Sequence, residues 1–97
     1  MKSLSVVIPA YRSQHSLPDL VDALSRFLPT ITSDFEVIVV DDGSPDRTWS
    51  VVEQLATAER PWLKPIRLMR NFGQHNALLC GIRQAVGEVT VTMDDDL

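Results

Sequence analysis

Two runs of apolar, mostly β-branched residues constrain this chain more than anything else: Leu4-Ser5-Val6-Val7-Ile8 and Phe35-Glu36-Val37-Ile38-Val39-Val40. Runs this dense suit strands buried on both faces, the mark of a parallel sheet. Parallel neighbours need a crossover between them. The intervening segment supplies one: Leu17, Leu20, Val21, Leu24, Phe27 and Leu28 recur on a single helical face. Ser16 with Asp19 reads as its N-cap signature, Pro18 is tolerated in the first turn, and Pro29 stops it.

The pattern continues as β-α-β-α-β-α-β. Strand one, Leu4 to Ile8, is ended by Pro9, and strand two runs from Phe35 to Val40. Asp41-Asp42-Gly43 turns the chain, Ser44 caps helix two with Pro45 at its first position, and Trp49, Val52, Leu55 and Ala56 form its inner face. Strand three, Pro65 to Met69, has the opening proline and alternation of an edge strand. Helix three follows Asn71, with Gln74 in the capping-box position. It buries Ala77, Leu78, Gly81, Ile82 and Ala85, and Gly87 is its C-cap. Strand four is Glu88 to Met93.

Short links between alternating elements predict an α/β fold with right-handed crossovers. With strand three at an edge, the expected sheet order is 3-2-1-4. The loops after strands one and four then diverge to opposite faces, which makes a topological switch point where ligands bind. This gathers Pro9-Ala10-Tyr11, Asp41-Asp42-Gly43 and Asp94-Asp95-Asp96.

Each of these groups has a chemical use and a plainer one. Tyr11 stacks on a nucleobase or packs over the strand ends. One of Asp41 and Asp42 serves the turn and the other a ligand. Asp46 complements a helix dipole. Asp94 and Asp96 are two apart, so an extended segment points both to one side. Two hard oxygen donors suit Mg²⁺ or Mn²⁺, which brings phosphate with it. Asp95 faces away and is the weakest metal ligand of the triplet. Arg70 reaches a phosphate or stays solvated, His75 lacks a companion histidine and is surface, and Cys80 is a small buried residue.

Bulk properties narrow the field. The net charge of -4 over 97 residues argues against a nucleic-acid binder. One cysteine permits no internal disulfide and fits a reducing compartment. No apolar run approaches the ~18 residues of a membrane span, and the Met1-Lys2 start with Leu4 to Ala10 is too short for a signal peptide. The glycine patterns of a dinucleotide-binding turn and of a P-loop are both missing. A metal is therefore expected to neutralise any diphosphate.

Val6-Val7-Ile8-Pro9-Ala10-Tyr11, Val39-Val40-Asp41-Asp42-Gly43-Ser44-Pro45-Asp46, Arg70-Asn71-Phe72-Gly73 and Met93-Asp94-Asp95-Asp96-Leu97 together resemble the family 2 glycosyltransferases of the GT-A fold. Within them the chain is most similar to the polyprenyl-phosphate glycosyltransferases, the dolichol-phosphate mannosyltransferase and undecaprenyl-phosphate sugar transferase group. The resemblance implies a Rossmann-like nucleotide-binding half, residues 1–97, truncated after strand four and incomplete as a domain. It implies that Pro9 and Tyr11 line the nucleoside pocket, and that Val40 and Asp42 contact base or ribose. Asp94 and Asp96 would bind Mg²⁺ or Mn²⁺ on the donor diphosphate, with Asp95 against the ribose or diphosphate.

The implied donor is a nucleotide diphosphate sugar, and the implied acceptor in the full-length protein is a polyprenyl phosphate. Relatives of the dolichol-phosphate mannose type carry Glu where this chain has Ser13, which favours UDP over GDP. The resemblance places the protein in the cytoplasm or on the cytoplasmic face of a membrane. It assigns no catalytic side chain within these residues, so the chain alone is expected to turn over little sugar. The alternative is a non-catalytic fragment or interaction module that self-associates through an exposed sheet edge. A receiver-like signalling domain also gathers acids at strand ends, but the triplet after strand four and the missing fifth unit with its lysine count against it.

Overall fold

The computed structural model describes residues 2–95. Its elements follow the expected alternation: β1 (Leu4–Ala10), α1 (Leu17–Phe27) with a 3₁₀ turn (Leu28–Thr30), β2 (Phe35–Asp41), α2 (Thr48–Leu55), β3 (Leu63–Arg67), α3 (Gln74–Gln84) and β4 (Val89–Thr92). The strands form one parallel sheet in the order β3-β2-β1-β4. This is the order expected from the sequence.

Alternating side chains divide the core between the two faces of the sheet. Val6, Ile8, Ala10, Val37, Val39 and Leu63 pack under α1 and α2, against Leu17, Leu20, Val21, Leu24, Leu28 and Val52. Val7, Ile38 and Val40 face Ala77 of α3 on the other side. The two central strands are therefore buried on both faces, as their composition requires.

Several boundaries move for identifiable reasons. Pro9 does not end β1 but lies inside it, opposite Val40. Val7 turns its backbone toward β4, where its carbonyl accepts from the Met93 amide at 3.1 Å. Pro9, two residues on, faces the same way beyond the last paired residue, Thr92, so its missing N–H breaks no ladder bond. Ser16 makes no side-chain cap, and Phe27 is exposed while Leu28 takes the buried position. Helix α2 starts at Thr48 rather than beside Ser44, because Ser44 is held elsewhere. Its amide donates to Asp41 Oδ1 at 3.1 Å, and its hydroxyl accepts from the Arg12 amide at 3.0 Å. Asp46 instead accepts the Thr48 amide at 3.0 Å and the Thr48 hydroxyl at 2.6 Å.

Strand β3 begins at Leu63, which is buried, and leaves Met69 fully in solvent. In α3, Ala77 and Gly81 are buried, Leu78 and Ala85 are partly so, and Ile82 is exposed against expectation. The helix ends in an extended Ala85, so Gly87 is not its C-cap. Every residue of β4 is exposed, since it forms one edge of the sheet.

Candidate functional site

The loops at the carboxyl ends of the strands are joined to one another by hydrogen bonds. Loop one meets loop two through the Arg12 amide on Ser44, the Ser13 amide on Thr48 Oγ1 at 2.8 Å, and the Arg47 amide on Gln14 Oε1 at 3.0 Å. Arg12 adopts a left-handed conformation at φ 56°, an uncommon state for a side-chain-bearing residue that these surrounding bonds hold in place. Its guanidinium lies 5.5 Å from the centroid of the Tyr11 ring, which is 41% exposed. Burial pushes the Asp46 carboxyl up, but its bonds from Thr48, its own backbone and the nearby Arg12 charge together outweigh this and hold it below the ordinary aspartate value.

Loop two meets the segment after β3 through Asp42. Its Oδ1 accepts from the Phe72 amide at 2.8 Å and its Oδ2 from the Gly73 amide at 3.0 Å. Gly43, at φ +66°, seats against the same segment: a Cβ there would lie 2.2 Å from the Arg70 carbonyl carbon. Only glycine fits both that conformation and that approach. Asp41 takes the turn, through Ser44, while its Oδ2 is buried without a hydrogen-bond partner among the described residues. Of the adjacent acids, one serves the turn as expected, and the other anchors a neighbouring loop, a task the sequence did not reveal.

The end of β4 closes the ring of loops. The Ser13 hydroxyl donates to Asp95 Oδ2, and the Gln74 amide nitrogen donates to Asp94 Oδ1 at 3.4 Å. Gln74, expected in a capping box, makes no cap bond, and Gly73 occupies the N-cap position. Between β1, β4 and the start of α3 lies a cleft of about 180 Å³, lined by Pro9, Gln74, Leu78, Thr92, Met93 and Asp94.

The structure thus brings Pro9, Asp94 and the first turn of α3 to one cleft, with Tyr11 on the loop after β1 and Asp95 on the segment after β4. Val40 is wholly buried beneath α3, and Asp42 is 2% exposed. Asp96 lies outside the described residues. Among those described, no group of three or more His, Cys, Asp or Glu side chains is placed to hold a metal. Asp94 is exposed and offers the hard oxygen donor that Mg²⁺ or Mn²⁺ prefers. Gln74 was missed as a site residue, and its position beside the Asn71-Phe72-Gly73 turn was the available signal; Ser13 was read from the sequence only as a departure from a family glutamate, and its bond to Asp95 was not foreseen. Cys80 is half-buried rather than buried.

Comparison with known proteins agrees with this architecture. The family model described as Glycosyl transferase family 2 matches residues 5–97. The undecaprenyl-phosphate 4-deoxy-4-formamido-L-arabinose transferase of Pectobacterium carotovorum is 40% identical over 97 residues, and that of Proteus mirabilis 38%. The chain is covered completely in each case but spans only 30% of the relative's length. Among solved structures, the mannosyltransferase PcManGT from Pyrobaculum calidifontis, in complex with GDP-Man and Mn²⁺, superposes with TM-score 0.88 at 28% identity. That match covers 98% of this chain and 28% of the other. S. aureus TarS in complex with UDP-GlcNAc gives TM-score 0.82 at 33% identity, covering 97% and 26% respectively.

Proposed function

The chain belongs to glycosyl transferase family 2, and from that premise we propose that residues 1–97 are the donor-binding part of a metal-dependent glycosyltransferase. The observation that carries the reading is the cleft at the carboxyl ends of β1 and β4 that Pro9 and Asp94 line, with the loops bearing Tyr11, Asp42 and Asp95 tied together around it by hydrogen bonds. The donor is a nucleotide diphosphate sugar. Tyr11 presents its exposed ring to the base, Pro9 forms the floor, and Val40 supports that floor from the core. Asp42 contacts base or ribose with the acceptor capacity left beside its two amide bonds.

Asp94 and Asp96 hold Mg²⁺ or Mn²⁺, and Asp95 lies toward the ribose or diphosphate. A bound divalent cation supplies the positive charge that stabilises a departing diphosphate. Ser13, where a carboxylate would add negative charge, favours UDP over GDP. The acceptor is a polyprenyl phosphate, of the class named in the relatives that match over the whole chain. Among the described residues no helix is long and apolar enough to cross a membrane. A site in the cytoplasm or on the cytoplasmic face of a membrane suits the donor.

Calorimetric titration with UDP and with GDP, with and without Mn²⁺, tests the reading. It expects metal-dependent binding, tighter for UDP. Equal, metal-independent binding, or none, contradicts it.

One observation favours a second reading, a self-associating module. Val89 and Val91 on the uncovered β4 edge are 40% and 44% exposed, and an open edge is a template for pairing. Nucleotide-blind oligomers in size-exclusion chromatography are its signature.

A further inference from the structure

Little in the side chains of β4 keeps it in place. Its four residues are all exposed, and it pairs on one side only, with β1. A slip of one residue would exchange its two faces and carry Asp94 about 3.3 Å along the sheet. The restraint on that slip lies at the opposite end of the strands from Asp94.

Glu36, near the start of β2, is 6% exposed. Its Oε2 accepts from the Ser5 hydroxyl at 2.6 Å and from the Val86 amide at 2.8 Å. The Ser5 hydroxyl in turn accepts from the Gly87 amide at 2.8 Å, and the Ser3 hydroxyl from the Glu88 amide at 2.9 Å. Three consecutive amides leading into β4 thus each have their own side-chain acceptor, on β2, on β1 and on Ser3 just before β1. Gly87 is part of the fit, since a Cβ there would stand 2.7 Å from both the backbone nitrogen and the hydroxyl of Ser5. Lys64 of β3 reaches Glu36 Oε1 at 3.2 Å but touches none of the three amides. A slip would hand each amide to the wrong acceptor and leave buried polar atoms unpaired, which is costly.

We propose that Glu36 is a positioning residue: acting with Ser5, it fixes the register of β4 and so sets where Asp94 stands at the far end of the sheet. The inference concerns the strand and holds whichever ligand the acids bind.

Amide hydrogen exchange on the 97-residue chain tests it. The reporters are Val89 and Met93, whose amides donate to Ser3 and Val7, against Val37 and Asp42, whose amides donate to Trp62 and Ala10 away from β4. Glu36→Ala and Ser5→Ala are expected to lower protection at Val89 and Met93 by about tenfold more than at Val37 and Asp42. Glu36→Gln, which keeps an acceptor oxygen, restores most of it, and Lys64→Ala leaves it unchanged. Should Glu36→Ala fail to fold, the milder Ser5→Ala carries the test. Equal loss at all four reporters in Ser5→Ala, or a Lys64→Ala effect as large as that of Ser5→Ala, overturns the proposal.

Discussion

The two ends of β2 both bury acidic side chains, yet they use them differently. At the amino end, Glu36 has each oxygen engaged, by Ser5, Val86 and Lys64. At the carboxyl end, Asp42 gives both oxygens to loop amides, while Asp41 keeps one buried oxygen without a partner among the described residues. A satisfied buried carboxylate ties strands together, and an unsatisfied one is tolerated where a fold gives up stability for a site. The contrast at Asp41 fits the proposal that the amino end is structural and the carboxyl end is where the ligand binds.

The largest expected effect is at Glu36. Glu36→Ala strands the Ser5 hydroxyl and the Val86 amide, and about 2–4 kcal/mol of stability is lost, read from the urea midpoint. Burial pushes the Glu36 carboxyl up, but the bonds from Ser5, the Val86 amide and Lys64 outweigh it and hold it below the ordinary glutamate value. A carboxyl lowered in the folded state stabilises above its unfolded pKa, and that contribution is lost as pH falls through the folded one. Stability therefore drops below about pH 4.5, and less steeply in Glu36→Gln. An unchanged acid profile in that variant breaks the comparison from its structural side.

Asp42→Asn comes next. It turns one amide acceptor into a donor facing the Gly73 N–H, and about 1–2 kcal/mol is expected to be lost. Faster exchange at Phe72 and Gly73 would locate that loss in their loop. The smallest effect is at Asp41→Asn, where one oxygen has no bond to lose and stability should stay within about 1 kcal/mol. A loss at Asp41 as large as that at Glu36 would erase the distinction between the two ends.

Much of this was legible from local pattern. The dense apolar runs at Leu4 and Phe35 specified strands buried on two faces, and the edge character of the Pro65 segment fixed the order 3-2-1-4. The missed features depend on contacts between residues far apart in sequence. Ser44 reads as a helix cap because caps are local, but its hydroxyl serves Arg12, 32 residues away. Gln74 fits a capping box by spacing, yet it reaches Asp94, 20 residues on. Pro9 ends a strand by its chemistry alone, and only the point where β4 stops pairing shows why it does not. At the site, the acidic triplet and Tyr11 stood out by residue type. The loop-anchoring use of Asp42 did not, because a carboxylate that binds backbone amides looks the same in sequence as one that binds a ligand.

The most direct test of the central claim is a thermal melt with Mn²⁺ and UDP or GDP, comparing the wild-type chain, an Asp94→Asn/Asp96→Asn double variant and Ser5→Ala. A functional carboxyl end predicts a metal-dependent rise in Tm with one nucleotide. The rise should be absent in the double variant, whose own Tm is unchanged. Ser5→Ala should start from a lower Tm and rise less. A rise of the same size in all three proteins, or none in the wild type, would contradict the account.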